Sequence, residues 1–272
     1  MNFPFYIARR YLFSKKKHNA INIISGISVC GVALATLALV CTLSVFNGFQ
    51  DMVASFFTAF DPQLKITVRE GKVFDAQDER IRAVCELPEV EVFTETLEEN
   101  AMVQYKDRQA MVVLKGVEDN FEELTAIDSI LYGAGEFVLH DSIVNYGVMG
   151  VELVATLGTG LEFVDPLQIY LPKRNAKVNM ANPGASFNRD YLYSPGVVFV
   201  VNQQEYDGKY ILTSLDFLRQ LLDYTTEVSA MELKLKSNVN TSSVQSKIEN
   251  ILGDDFVVQN RYQQQADIFR IM

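Results

Sequence analysis

From Ala20 to Gln50 the chain carries no charged side chain, and the stretch Ile21–Phe46 is almost continuously apolar. A helix needs about 20 such residues to cross the hydrocarbon layer, so the pattern predicts one membrane-spanning helix over residues 20–49. Just before it, Phe3–Phe13 mixes apolar residues with Arg9 and Arg10, the pattern of an amphipathic segment lying on a membrane surface. A cleaved signal peptide fits less well. The apolar run is too long for an h-region, and it ends in Phe46-Asn47-Gly48-Phe49 rather than in a small-residue cleavage site. Arg9, Arg10, Lys15, Lys16 and Lys17 precede the run, and Asp51 is the first charge after it. The positive-inside rule then places residues 1–19 in the cytoplasm and everything from about residue 50 outside. Gly26, Ser28, Gly31, Ala33, Ala35 and Ala38 give the helix small side chains, which let a neighbouring membrane helix approach closely.

Beyond the span the apolar period shortens and alternates. Strands are expected at Leu64–Val68, Val90–Phe93, Ala101–Gln104 and Ala110–Gly116. The last two are joined as a hairpin by the polar turn Tyr105-Lys106-Asp107-Arg108. Asp78–Leu87 reads as a helix stopped by Pro88, and Asn120–Leu124 as a short one. Further on, Gly135–Leu139 reads as a strand, Ser142–Tyr146 and Gly150–Leu157 as helical pieces, and Leu167–Leu171 as a strand ending at Pro172. Lys173–Pro195 is a long polar stretch containing Asn182-Pro183-Gly184, and connectors of that length are commonly functional or disordered. From Val197 the order is strand, strand, helix, strand, helix, strand. The elements are Val197–Val201, Lys209–Leu212, Leu215–Leu222 capped by Ser214, Met231–Leu235, Val239–Leu252 closed by Gly253, and Phe256–Val258, with Tyr262 onward helical. The expected fold class is α+β: one N-terminal transmembrane helix, then a two-lobed external domain with mixed sheets and helices packed on one face. The external part covers 50–272, with one lobe from about 50–110 plus 195–265 and the other from about 111–194.

Charge sharpens this picture. The formal net charge of the 272 residues is −10, and the first 19 residues hold five basic side chains and no acid, which leaves −15 for the rest. A surface that acidic excludes nucleic acid as a partner. Cys30 and Cys41 are eleven helical residues, roughly 16 Å, apart, and with Cys85 they make no readable disulfide framework. The two histidines, His18 and His140, offer no metal-ligand spacing, and metal sites need three or four converging ligands. His140-Asp141-Ser142 has the residue types of a hydrolytic triad, but adjacency in sequence does not supply the geometry, and a surface turn or helix cap is the expectation. Gly158-Thr159-Gly160 lacks the phosphate-loop pattern. No cofactor and no catalytic residue is therefore expected, and any ATP must be bound by another subunit.

Certain motifs carry a resemblance. Ile7-Ala8-Arg9-Arg10-Tyr11-Leu12 is followed by Asn22-Ile23-Ile24-Ser25-Gly26-Ile27-Ser28, Gly31-Val32-Ala33 and the helix exit Ser44-Val45-Phe46-Asn47-Gly48-Phe49. Leu153–Pro172 adds a leucine-glycine turn, a strand and a proline, with Asp165-Pro166 in place of the usual glycine-aspartate pair. Val197-Val198-Phe199-Val200, Glu205-Tyr206-Asp207 and Tyr210-Ile211-Leu212 follow, but Asn202-Gln203-Gln204 replaces a glycine-rich step, and Arg261-Tyr262-Gln263 stands where a tryptophan is common. With these motifs the chain resembles the permease subunits of the lipoprotein-releasing ABC transporter, within a wider class that includes macrolide-exporter and cell-division permeases.

The resemblance implies a bacterial inner-membrane protein with a cytoplasmic N-terminus and a periplasmic main domain. It implies three more membrane helices after Met272 and work without covalent chemistry. A cytoplasmic ABC ATPase would supply energy, a second permease, identical or paralogous, would complete the route, and a lipoprotein cargo would pass to a periplasmic carrier. Val29, Ala33, Val40 and Phe46 would form a cargo-facing side of the span, or face lipid. The stretch after Pro172, with Lys173, Arg174, Lys177, Arg189, Tyr191 and Tyr193, would bind a partner, or be a passive loop. Export or mechanotransmission for another substrate, and a single-pass anchored interaction module, are the competing readings.

Overall fold

The computed structural model describes residues 3–12, 19–55, 60–174 and 186–264. Contacts divide the chain into two units, Met1–Phe57 and Thr58–Met272.

The first unit contains α1 (Phe3–Leu12) and the 37-residue α2 (Asn19–Ser55). Within α2, Ile23–Gly48 has a mean hydropathy of 2.4, and every side chain in it is exposed. At about 1.5 Å per residue those 26 residues reach roughly 39 Å, more than the hydrocarbon thickness of about 30 Å. A soluble core helix would bury such a surface. Here the apolar side chains face outward all round, as a helix solvated by lipid requires. The polar residues adapt: the Thr36 hydroxyl donates to the Val32 and Ala33 carbonyls (both 3.0 Å), and that of Thr42 to the Ala38 carbonyl (2.9 Å). These bonds satisfy both threonine hydroxyls within the helix itself.

The second unit is built on β1 (Leu64–Val68), β2 (Phe74–Asp75), α3 (Glu79–Cys85), β3 (Val90–Tyr105), β4 (Arg108–Val117), α4 (Phe121–Leu124), β5 (Leu131–Gly133), β6 (Val148–Met149) and α5 (Val151–Leu157). It continues with β7 (Leu167–Pro172), β8 (Phe187–Leu192), β9 (Val197–Phe199), α6 (Gln204–Asp207), β10 (Tyr210–Ser214), α7 (Leu215–Leu222), β11 (Glu227–Val228), β12 (Ala230–Leu235), α8 (Thr241–Leu252) and β13 (Phe256–Asn260). A nine-stranded mixed sheet runs β13-β1-β12-β3-β4-β10-β6, with β7 branching from the far half of β3 and β8 from β7. Among the described strands of this sheet, the β4–β10 pairing is parallel and the others are antiparallel.

Registry sorts the side chains. Leu64 pairs with Leu233, and Leu233 with Phe93, so these positions and the odd-numbered residues of β3 share a face. On that face α3 and α8 bury Ile81, Val84, Ile248 and Leu252 against β1 and β12. α5 and α7 bury Leu153, Leu157, Leu218 and Leu221 against Leu97, Ala101 and Val103. Gly116 permits the approach of α7, since a Cβ there would stand 3.1 Å from Leu215 Cα. Caps fix the helix starts: Ser214 accepts from the Phe217 amide and Asn240 from the Ser243 amide. The longer helices α3, α5, α7 and α8 thus pack on one face of the mixed sheet, whereas Phe121 of α4 and Tyr206 of α6 join Phe60, Phe199 and Leu212 on the other, a departure from the expected single helical face.

Three local expectations are corrected. Val90–Phe93 and Ala101–Gln104 are the ends of one 16-residue strand, because the polar residues between them pair with neighbouring strands instead of turning. Gly135–Leu139 is not a strand. The pairing falls one step earlier, Leu131–Gly133 with β9, and Gly135 then passes so close to Pro195 that a Cβ would collide with its carbonyl oxygen. Ser142–Tyr146 is a turn rather than a helix: Asp141 Oδ1 accepts from the Ile143 and Val144 amides, and the Tyr146 amide returns to the Leu139 carbonyl.

Candidate functional site

Two features carry the functional expectations, the span and the β7–β8 hairpin. On α2, Val29, Ala33, Val40 and Phe46 are all exposed. At about 100° per residue the first three fall within an arc of about 40°, while Phe46 projects about 100–140° away from them. One stripe therefore holds Val29, Ala33 and Val40, and Phe46 occupies another flank.

Within the expected loop Lys173–Pro195, Phe187–Leu192 is a strand, β8. β8 pairs antiparallel with β7 from Leu167↔Leu192 to Pro172↔Phe187, and the Lys173 amide extends the ladder to the Ser186 carbonyl at 2.9 Å. Polarity concealed it, because β8 is an edge strand whose only buried residue is Leu192. Lys177 lies outside the described residues. Arg174, at the end of the hairpin arm, stacks over Tyr224 (4.9 Å) and reaches Glu227 (3.8 Å). Arg189 stands directly opposite Tyr170, its guanidinium 5.5 Å from that ring. Tyr191 is opposite Gln168 and exposed. Tyr193 lies past the strand, its backbone bonded to Asn145 and Gly147 (both 2.9 Å).

Registry also brings together residues that the sequence did not single out. Met111, Met102, Tyr170 and Arg189 form one row across β4, β3, β7 and β8, and Gln109, Gln104, Gln168 and Tyr191 form the next. Both rows lie on the sheet face opposite the longer helices, and Met111, Arg189 and Tyr191 are exposed. Nearer the centre of the sheet the same face changes to buried charge. Lys115 Nζ reaches Glu232 Oε1 (2.5 Å) and Glu98 Oε1 (3.4 Å), and Lys65 reaches Glu98 Oε1 (3.2 Å). Burial alone would raise the Glu98 carboxyl, but Lys65 and Lys115 outweigh it and hold the group at about 2. Burial likewise disfavours the Lys115 cation, yet Glu232 and Glu98 reverse the effect and raise its pKa. Alternation along β3 was the available signal, with Thr94, Thr96, Glu98 and Asn100 marking one face as polar.

His140 pairs through Nε2 with Asp119 (3.1 Å), not with its neighbours in sequence. Asp141 is occupied by its own turn and by the Tyr146 hydroxyl (2.8 Å), and hydrogen bonds from the Val144 and Ile143 amides lower its pKa. A cleft of about 420 Å³ beside His140 includes Ser214, whose hydroxyl serves as a helix cap. Among the described residues no three His, Cys, Asp or Glu side chains gather as a metal site.

Comparison with known proteins places this geometry. Residues 25–251, most of the chain, match the MacB-like periplasmic core domain. The chain is 24% identical over 243 residues to the lipoprotein-releasing system transmembrane protein LolE of Haemophilus influenzae, covering 86% of this chain and 55% of that protein. It is 21% identical over 266 residues to the lipoprotein-releasing system transmembrane protein LolC of Xylella fastidiosa, covering 97% of this chain and 61% of that protein. The chain thus spans little more than half the length of these relatives. Among solved structures it is similar to the periplasmic region of MacB from Actinobacillus actinomycetemcomitans (TM-score 0.48, 11% identity, 75% of this chain and 91% of that one). It is also similar to the extracellular domain of the noncanonic ABC-type transporter YknZ from Gram-positive bacteria (TM-score 0.48, 10% identity, 72% and 99%). With one N-terminal membrane-spanning helix followed by a large α+β domain, and with residues 25–251 matched, the chain belongs to the MacB-like periplasmic core domain family.

Proposed function

We propose that this chain is the N-terminal part of an inner-membrane permease subunit of an ABC transporter that releases lipoproteins. ATP hydrolysis by a cytoplasmic partner subunit drives extraction of the cargo, and the chain itself performs no covalent chemistry. The observation that carries the reading is the apposition of the folded unit's two ends. β1 and β13 pair antiparallel with Leu64 opposite Asn260, the Arg261 guanidinium donates to the Asp61 carbonyl (2.9 Å), and Gln264 donates to that of Pro62 (3.2 Å). A domain that enters and leaves at one place suits insertion between two membrane helices and suits being moved by them. The cargo assignment is supported by the lipoprotein-releasing relatives.

In this reading the Val29–Ala33–Val40 stripe faces cargo acyl chains or a second permease, with Phe46 on an adjoining flank. The hairpin bearing Lys173, Arg174, Lys177, Arg189, Tyr191 and Tyr193 meets a periplasmic carrier. The external domain works as two lobes. One lobe comes from about 50–110 plus 195–265 and the other from about 111–194.

The test is capture of the full-length protein from detergent-solubilised membranes, with partners identified by mass spectrometry. An ABC ATPase recovered with acylated lipoproteins or their carrier is the expected result. An ATPase recovered with cell-wall hydrolases or an outer-membrane channel would move the assignment to another permease of the class. Recovery of no ATPase from intact complexes would leave an anchored interaction module.

A further inference from the structure

We propose that the outer edge of β13 is a peptide-binding groove, which takes an extended basic segment of a partner protein as an added strand. The inference stands apart from the permease reading and does not depend on it. β13 closes one end of the nine-stranded sheet, and among the described strands it pairs with β1 alone. The Arg69 amide donates to the Asp255 carbonyl (2.8 Å), which fixes the phase of that ladder. Hydrogen-bonded positions then fall at 255, 257 and 259, and the backbone N–H and C=O of Phe256, Val258 and Asn260 point away from β1. Side-chain amides close half of this edge. Gln245, on α8 and buried, donates through Nε2 to the Val258 carbonyl (2.9 Å) and accepts from Asn260 Nδ2 (3.0 Å). Gln263 Oε1 accepts from the Asn260 amide and from Gln245 Nε2 (both 2.9 Å). The two glutamines stand where a neighbouring strand would, so this end of the edge is a fixed stop.

The other half of the edge faces a cleft. The amide of Val258 and both backbone groups of Phe256 take no part in the glutamine network, and a space of about 900 Å³ runs between this strand and the side of α8. An outward row of strand N–H and C=O groups is a template for pairing with another chain. In recognition by strand addition, main-chain bonds supply affinity, and the contacts of alternate side chains supply specificity. The lining states which side chains fit. Glu249 and Asp254 stand exposed in the cleft, and Arg69, its cation, donates through Nε to the Asp254 carbonyl (2.6 Å). Successive residues of a strand point to opposite faces, so every second side chain of an added segment would meet α8 and these carboxylates. Lysine or arginine at those positions matches them. A second copy of this chain does not, because it would set the same carboxylates against each other.

Residue-resolved hydrogen exchange on the full-length protein in detergent micelles tests the groove, with two octapeptides as probes. One alternates threonine with lysine, the other threonine with glutamate. With the lysine peptide at about ten times its Kd, exchange of the Phe256 and Val258 amides should slow by about tenfold. The amides of Val257 and Gln259, already within the β1 ladder, should not change. The glutamate peptide should protect neither position. Glu249→Lys combined with Asp254→Lys replaces two exposed side chains, so the fold is kept. It should weaken the lysine peptide by about tenfold, as loss of two exposed ion pairs would, and bring the glutamate peptide into binding. Failure of the lysine peptide to bind would overturn the proposal. Binding without protection at Phe256 and Val258 would reduce it to general attraction by an acidic surface and overturn strand addition. Equal protection by both peptides, or unchanged lysine-peptide affinity in the double variant, would overturn the basic class of partner.

Discussion

Lys115 Nζ lies 2.5 Å from Glu232 Oε1, joining strands that are 117 residues apart in sequence, and their side chains are 3% and 0% exposed. The pair is not fully satisfied, because Glu232 Oε2 has no hydrogen-bond partner among the described residues. Removing one member of such a pair strands a buried charge and costs about 3–5 kcal/mol, whereas replacing both with apolar residues is near neutral or stabilising. Lys115→Met and Glu232→Leu should each destabilise the protein by about that amount, and the double variant should recover most of the loss. Urea unfolding of the four proteins gives the cycle, and additive losses would show that the two charges do not depend on each other.

The same row sets a pH dependence. Glu98 is held at about 2 against an ordinary 4.5, so its contribution is complete above pH 4.5 and disappears as pH falls through 2. Lys115 is raised above 10.5, so its contribution is complete below 10.5 and is lost only at higher pH. Wild type should therefore lose stability between pH 4.5 and 2, and Glu98→Gln should flatten that part of the profile. An unchanged acid limb in the variant would place the sensitivity elsewhere.

What the sequence disclosed followed the range of the forces involved. The span, the Lys106–Asp107 turn of the β3–β4 hairpin and the Ser214 cap are decided by a few adjacent residues, and all were legible. By sequence β3 reads as two strands, because Glu98-Glu99-Asn100 looks like a break. Their partners, Lys65 and Lys115 for Glu98 and Lys72 for Glu99, lie on other strands or beyond a turn. β8 reads as loop by sequence, because an edge strand need bury little. The charged row has no local signature either, since its members meet only after the sheet has assembled. The Phe60–Tyr206 contact spans 146 positions and had no local signature.

The hairpin makes a prediction about recognition. Arg189 and Tyr191 are exposed side chains on adjacent rows of an uncovered sheet face, together with Met111. Arginine, tyrosine and methionine are enriched at interface cores, and loss of a hot-spot side chain costs 2 kcal/mol or more, about thirtyfold in affinity. If the hairpin meets a periplasmic carrier, as proposed above, Arg189→Glu and Tyr191→Ala should weaken its capture by about that factor and leave the unfolding midpoint within about 1 °C of wild type, as exposed surface sites do. Carrier binding by surface plasmon resonance is the measurement, and wild-type affinity in both variants would remove this face from the interface.

Rotation along α2 yields the last prediction. Val29, Ala33 and Val40 share a stripe about 40° wide, and Phe46 lies about 100° or more from it. Small side chains permit close helix approach in lipid, where van der Waals packing replaces the hydrophobic driving force. A photo-crosslinking amino acid at 29, 33 or 40 should therefore capture one species, cargo lipoprotein or a second permease, and the same residue at 46 should capture a different species or lipid. Ala33→Leu adds bulk within the stripe and should reduce lipoprotein release in reconstituted vesicles by about tenfold, as 1–3 kcal/mol of overpacking would, while Phe46→Leu should change it less than twofold, or about 0.4 kcal/mol. Identical crosslinking patterns at all four positions would mean that the helix meets its surroundings evenly, as a simple anchor does, and that no stripe is specialised for cargo.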